Sequence, residues 1–137
     1  MTNEQGVLQT AAHLVSRFAS HDFDGYFSCF DENAVFIFHT SPNVLVSKSE
    51  YQNEWRTWEK EWGFKVKACS STNQRVQLFD SIAIFSHDVA TTLSTNDGEK
   101  SFKERETIVF HQVLGKWIAV HEHLSPMPEW INTHERT

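Results

Sequence analysis

The run Val120-His121-Glu122-His123-Leu124 places one carboxyl between two imidazoles. On a strand, Glu122 and Leu124 share one face and His121 and His123 the other. Within apolar surroundings a carboxylate is poorly solvated, so its proton affinity rises toward the range that suits acid and base work near neutral pH. Glu122 is therefore the candidate proton carrier. Arg105, with Thr107 on its face of a neighbouring strand, would anchor an anionic or carbonyl group, and Thr107 would add a small polar contact. The plainer alternatives are a structural Arg105–Glu122 ion pair, since such pairs perturb carboxyls as catalytic sites do, or a Glu122 turned to solvent by a bulge; the phase of the strand carrying Arg105 is also open, since a single bulge there would swap which of Arg105 and Glu106 looks inward.

His121 and His123, approached by His111, form the kind of cluster that zinc uses. No Cys or carboxylate has the spacing to complete a ligand set, so no metal is expected. These histidines read instead as packing or interface residues. Phe38, Trp55 and Trp58 are candidates for an aromatic wall around a planar or apolar ligand, and the helical spacing of the two tryptophans equally describes simple core. His39, at the end of a short apolar run, is a second candidate acid or base beside a pocket mouth. Cys29 and Cys69 have no activating neighbours and read as packing residues. No phosphate loop, nucleophile elbow or dinucleotide fingerprint is present, so no cofactor is expected.

The elements that must position these residues follow from periodicity. Val7, Ala11, Leu14, Val15 and Phe18 line one stripe of a first helix, with Thr2 and Gln5 as its capping box. Asp22 caps a short second helix in which Phe23, Tyr26, Phe27 and Phe30 share a face. Ala34 to His39 reads as a short buried strand ended by Pro42. Ser47 and Glu50 open a third helix carrying Tyr51, Trp55, Trp58 and Trp62, and Gly63 closes it. Beyond Phe64 the period falls to two. Turn residues at Asp80-Ser81, Asn96-Asp97-Gly98 and Leu114-Gly115 divide the remainder into four long strands. Segregated helices and an antiparallel meander define an α+β layer architecture.

A length of 137 residues fits one domain, 1–137, with 126–137 as a loosely packed tail. Twelve Lys and Arg against eighteen Asp and Glu give a net charge of -6, which disfavours general binding to nucleic acid. Apolar residues make up 39%, with eleven Phe and five Trp, enough for a real core. The longest apolar run, Ala34 to Phe38, is far short of the roughly 18 residues of a membrane span. With no basic leader and only two cysteines, the expected compartment is cytoplasmic, with no membrane partner.

The segment from Lys103 to Pro128 carries Glu106-Thr107, Gly115-Lys116-Trp117 and Val120-His121-Glu122-His123-Leu124-Ser125. Together with the His21–Phe27 corner and the Asp31-Glu32-Asn33-Ala34 approach to the first strand, it resembles the nuclear transport factor 2-like superfamily. The likeness is to its SnoaL-like branch and to the association domain of calcium/calmodulin-dependent kinases, and it spans nearly the whole chain. It implies an α+β fold: three helices packed on a strongly curved, mostly antiparallel sheet, forming a cone-shaped α+β barrel with an internal pocket that Leu124 faces. It also implies a homodimer through the convex sheet face, where His121, His123, Trp117 and Ala119 are expected.

This scaffold hosts isomerases, dehydratases, cyclases, binding proteins and oligomerisation modules, so the pocket decides function. The positions matching the Tyr and two Asp of ketosteroid isomerases are Leu14, Phe38 and Thr107, and that enolising machinery is not carried over. The positions matching the cavity arginines of the kinase domain are about Ser86, Ile108 and Leu124, so its carboxylate binding is not carried over either. The resulting expectation is a small, largely apolar ligand with one polar group. Glu122 and Arg105 would hold the polar end, with Trp55, Trp58, Phe38 and Leu124 enclosing the rest. Any chemistry would be cofactor-free isomerisation, dehydration or cyclisation through Glu122. The alternative is a non-catalytic association module with a vestigial cavity.

Overall fold

Thr2 Oγ1 accepts from the Gln5 amide at 3.1 Å while the Gln5 side chain accepts from the Thr2 amide at 2.9 Å, the expected reciprocal cap. It starts α1 (Asn3–Ala19), which buries Val7, Ala11 and Leu14. His21, at a φ of 54°, turns the corner into α2 (Phe23–Phe27), where Asp22 Oδ1 accepts from the Gly25 amide at 3.0 Å. Ser47 caps α3 (Lys48–Trp62) by accepting from the Glu50 amide at 3.2 Å. The Glu50 carboxyl reaches past the cap to the Val46 amide at 3.1 Å, one residue beyond the expected box. Gly63 ends the helix at a φ of 66°, and a Cβ there would lie 2.3 Å from Asn96 Oδ1. The computed structural model describes residues 2–128; the expected loose tail lies, from 129 onward, outside the described residues.

Five strands follow the order β1-β5-β4-β3-β2 in one curved sheet. They are β1 (Phe30–Phe38), β2 (Lys65–Phe79), β3 (Ile82–Thr95), β4 (Gly98–Val113) and β5 (Lys116–Pro126). The first strand starts four residues before the apolar run and pairs parallel with β5; every other pairing is antiparallel. The three hairpin turns fall where the turn residues stand, with positive φ at Asp80, Gly98, Leu114 and Gly115. The helices cover one face of the sheet. Between them sits a core built on Trp55, Tyr26, Phe27, Phe36, Phe85 and Phe110, all fully buried. Among the described residues no helix is long and apolar enough to cross a membrane.

One irregularity resets side-chain parity. Phe110 pairs with Ala119 but Val109 pairs with His121, so Val120 is an extra residue in β5. The expectation that Trp117 and Ala119 share the outer face with His121 and His123 is thereby corrected. Trp117 and Ala119 are buried in the core, and only beyond the bulge do the histidines point outward while Glu122 points in.

Candidate functional site

A cavity of about 350 Å³ lies between the helices and the sheet. Leu14 of α1, Tyr26 of α2, Tyr51 and Trp58 of α3, Phe38 of β1 and Leu124 of β5 contribute to its mostly apolar wall. Trp58 stacks on Trp62 at 5.8 Å between ring centroids, and half-exposed Trp62 with partly exposed Phe102 mark the mouth. Three buried carboxyls open into it: Glu104 and Glu106 from β4, and Glu122 from β5.

Glu106 and Glu122 are both buried and line the same cavity, close enough for each to perturb the other's proton affinity, and one proton held between them relieves the clash of two like charges. Around that pair every polar atom has a consistent role. Tyr26 donates its hydroxyl to Glu122 Oε1 at 3.0 Å and lies 3.2 Å from the Tyr51 hydroxyl, which must then be the donor to Tyr26. His87, buried on β3, donates from Nε2 to Glu106 Oε1 at 2.6 Å, while its Nδ1 accepts from Ser71 Oγ at 2.5 Å. Ser71 Oγ in turn accepts from Gln74 Nε2 at 2.9 Å at the surface. These partners assign the imidazole as neutral with its proton on Nε2. A continuous polar chain thus runs from the cavity across β4 and β3 to Ser71 and exposed Gln74 on the edge strand β2.

Burial governs the proton affinities here. It pushes Glu106 up to about 7 and holds Glu122 well above the usual carboxyl range, with the Glu106 charge adding to the rise. Burial lowers His87 to about 4, against the pull of Glu122 and Asp88, which keeps it neutral. Tyr26 and Tyr51 are raised by the same desolvation and stay protonated. Burial also raises Glu104, opposed by His39, whose Nε2 lies 2.5 Å from Glu104 Oε2.

The sequence-derived candidates divide accordingly. Glu122 is 2% exposed and lies at the cavity floor, and Phe38, Trp58 and Leu124 are in the wall. His39 reaches the site only through Glu104. Arg105 does not line the cavity: its side chain is 57% exposed and its nearest acid is Asp88, 4.0 Å away. The ion pair considered between Arg105 and Glu122 is not formed. Thr107, on the same face of β4, is also outside the cavity lining. The physical reason is alternation from Ile108 and Phe110, both fully buried, which turns Glu106 and Glu104 inward and Arg105 and Thr107 outward. Trp55 is fully buried and donates from Nε1 to Glu59 Oε2 at 3.2 Å, so it belongs to the core rather than the wall.

On the outer face His121 and His123 are 6.4 Å apart between ring centroids, while His111 pairs further along with Ile118. Among the described residues no three His, Cys, Asp or Glu side chains are grouped to hold a metal ion. Glu106 entered the sequence reading only as the inward alternative to Arg105, and Glu104, His87, Tyr26 and Tyr51 were not singled out from the sequence as site residues. A signal for three of them was present, since Glu104 and Glu106 continue the inward period of Ile108 and Phe110, and His87 stands between Phe85 and Val89.

Helices over one curved five-stranded sheet, with a cavity between, are the architecture of nuclear transport factor 2-like proteins. A protein of that kind from Cytophaga hutchinsonii superposes with a TM-score of 0.79 at 10% identity, over 93% of this chain and 100% of the other. The family model of the calcium/calmodulin dependent protein kinase II association domain matches residues 3–128, and the chain belongs to that family. Two solved structures, one named as such an association domain and one as a CaMKII hub, agree at the level of fold. One, from Xanthomonas campestris, has a TM-score of 0.77 at 19% identity over 94% of this chain and 91% of its own. The other, the S. rosetta CaMKII hub, has a TM-score of 0.73 at 20% identity over 93% and 98%. No curated protein sequence matches the chain.

Proposed function

We propose that this association-domain relative is a pocket protein. It binds a small, largely apolar molecule in the cavity and uses the Glu106–Glu122 pair as a reservoir for one proton, in cofactor-free acid and base work of the isomerase, dehydratase or cyclase type. The observation that carries this reading is the pair of buried, mutually perturbing carboxyls that open into a mostly apolar cavity of about 350 Å³. A buried acid pair is costly as a packing device. It is useful where a proton must be given and taken near neutral pH. His87 and Ser71 provide the route by which that proton exchanges with solvent.

The family name and the hub name of the S. rosetta relative support self-association of this chain as well. The outer face of β4 and β5, with Thr107, Val109, His121 and His123, is the surface proposed for it. Such assembly and an occupied pocket are compatible.

The test is a thermal-shift screen of small apolar molecules against the wild type and Trp58→Ala. Ligand occupancy stabilises the native state by mass action, so hits on the wild type that vanish with Trp58→Ala are expected. For any hit that turns over, Glu122→Gln should abolish turnover while the fold persists. A screen without hits would favour a pure association module, and turnover retained in Glu122→Gln would remove the proton-carrier role.

A further inference from the structure

The cavity lining combines carboxyl groups from Glu54, Glu104, Glu106 and Glu122 with aromatic rings, and it includes no Lys, Arg or His among the described residues. Glu122 is 2% exposed, points into that space, and has no basic side chain within ion-pair distance among the described residues. A buried carboxyl without a cation is an uncompensated group, held only by the Tyr26 hydroxyl and its own neighbour Glu106. Tyr51, Trp58 and Phe38 line the same cavity, and the face of an aromatic ring carries the negative side of its quadrupole.

We propose that the ligand of this pocket is an apolar monocation, an amine or ammonium compound whose charged nitrogen sits against Glu122 and Glu106 and whose hydrocarbon body fills the aromatic wall. This rests on the reading of the cavity as a ligand pocket and adds the charge of what enters it. An anionic ligand would meet only like charge, and a neutral one would leave the carboxyl pair as it is.

Arrival of the cation makes both carboxylates favourable together. The proton they share is then released: Glu122–H with Glu106 as carboxylate becomes two carboxylates around one ammonium, and one proton passes to solvent. The other groups facing the pair do not supply that proton near neutral pH. Tyr26 from α2 and Tyr51 from α3 are held above their ordinary values, Cys69 from β2 is pushed up to about 11, and His87 from β3 is down near 4. Glu104 from β4 is engaged by His39.

The experiment is calorimetric titration of the full chain with three probes of one shape: 2-phenylethylamine, 2-phenylethanol and phenylacetate. The amine is expected to bind about tenfold to a hundredfold tighter than the alcohol, and phenylacetate not to bind. Amine affinity should rise by up to about tenfold per pH unit while one proton is released, with a heat that differs between phosphate and Tris buffers. Glu122→Gln and, separately, Glu106→Gln should erase both the preference for the amine over the alcohol and the buffer dependence of the heat. Alcohol or phenylacetate binding better than the amine would overturn the cation assignment and leave the pocket reading standing. Binding by none of the three, with Trp58→Ala indistinguishable from the wild type, would overturn both.

Discussion

Replacing Glu106 by Gln and, separately, His87 by Gln should tilt the pH dependence of stability in opposite directions. Glu106 is raised by burial from 4.5 to about 7, so the folded state holds its proton more tightly than the unfolded chain does. Its contribution is present below pH 4.5 and lost as pH rises through about 7. At about 1.4 kcal/mol for each tenfold change in proton affinity, that displacement is worth about 3 kcal/mol. His87 runs the other way: burial lowers it from 6.5 to about 4, so its contribution is present above pH 6.5 and lost as pH falls through about 4. The same conversion again gives about 3 kcal/mol. In the wild type the two slopes oppose each other between pH 4.5 and 6.5, and their joint effect there is nearly level. Urea unfolding midpoints across pH 4–7.5 would separate them. Relative to the wild type, Glu106→Gln should gain stability as pH rises and His87→Gln should gain it as pH falls, each by up to about 3 kcal/mol. Slopes of the same sign in both variants, or a Glu106→Gln profile parallel to the wild type, would refute the assignment of a shared proton facing a neutral imidazole.

The two tryptophans of α3 should behave differently. Trp55→Ala removes a ring packed against Phe18, Phe23, Tyr26, Phe27 and Phe64 and should cost about 3–5 kcal/mol in chemical denaturation, whereas Trp58→Ala, in the cavity wall, should cost less and chiefly remove binding. Arg105→Ala should leave stability within about 0.5 kcal/mol, since the guanidinium is exposed and its partner Asp88 is 4.0 Å away. A larger loss on denaturation, or weakened ligand binding, would show that Arg105 does reach the site.

Much of the scaffold was legible because its signals are local. A cap such as Thr2 with Gln5 acts across three residues, and so does Asp22 with Gly25. The turn at Leu114-Gly115 needs only two residues that accept a positive φ. The site was half legible. Strand alternation put Glu122 on the same side as Leu124, and the structure places both in the cavity lining. The parity of β4 stayed open in the sequence, between Arg105 and Glu106 looking inward. Arg105 and Thr107 were placed by their polar chemistry, although Ile108 and Phe110, as buried apolar residues, determine which face looks inward.

Residue order alone therefore specifies the set of elements, their ends, and the apolar faces that must be covered. These depend on contacts between near neighbours and on the free energy of removing hydrocarbon from water, which needs no particular partner. Tertiary structure alone decided which polar groups meet. Tyr26 and Glu122 are 96 residues apart, and His87 and Glu106 are 19 apart on separate strands. Their meeting depends on the register of three strands and on one extra residue, Val120, that turns Trp117 inward without turning Glu122 out. A one-residue slip there would exchange every face of β5, and no local preference in the chain specifies that slip.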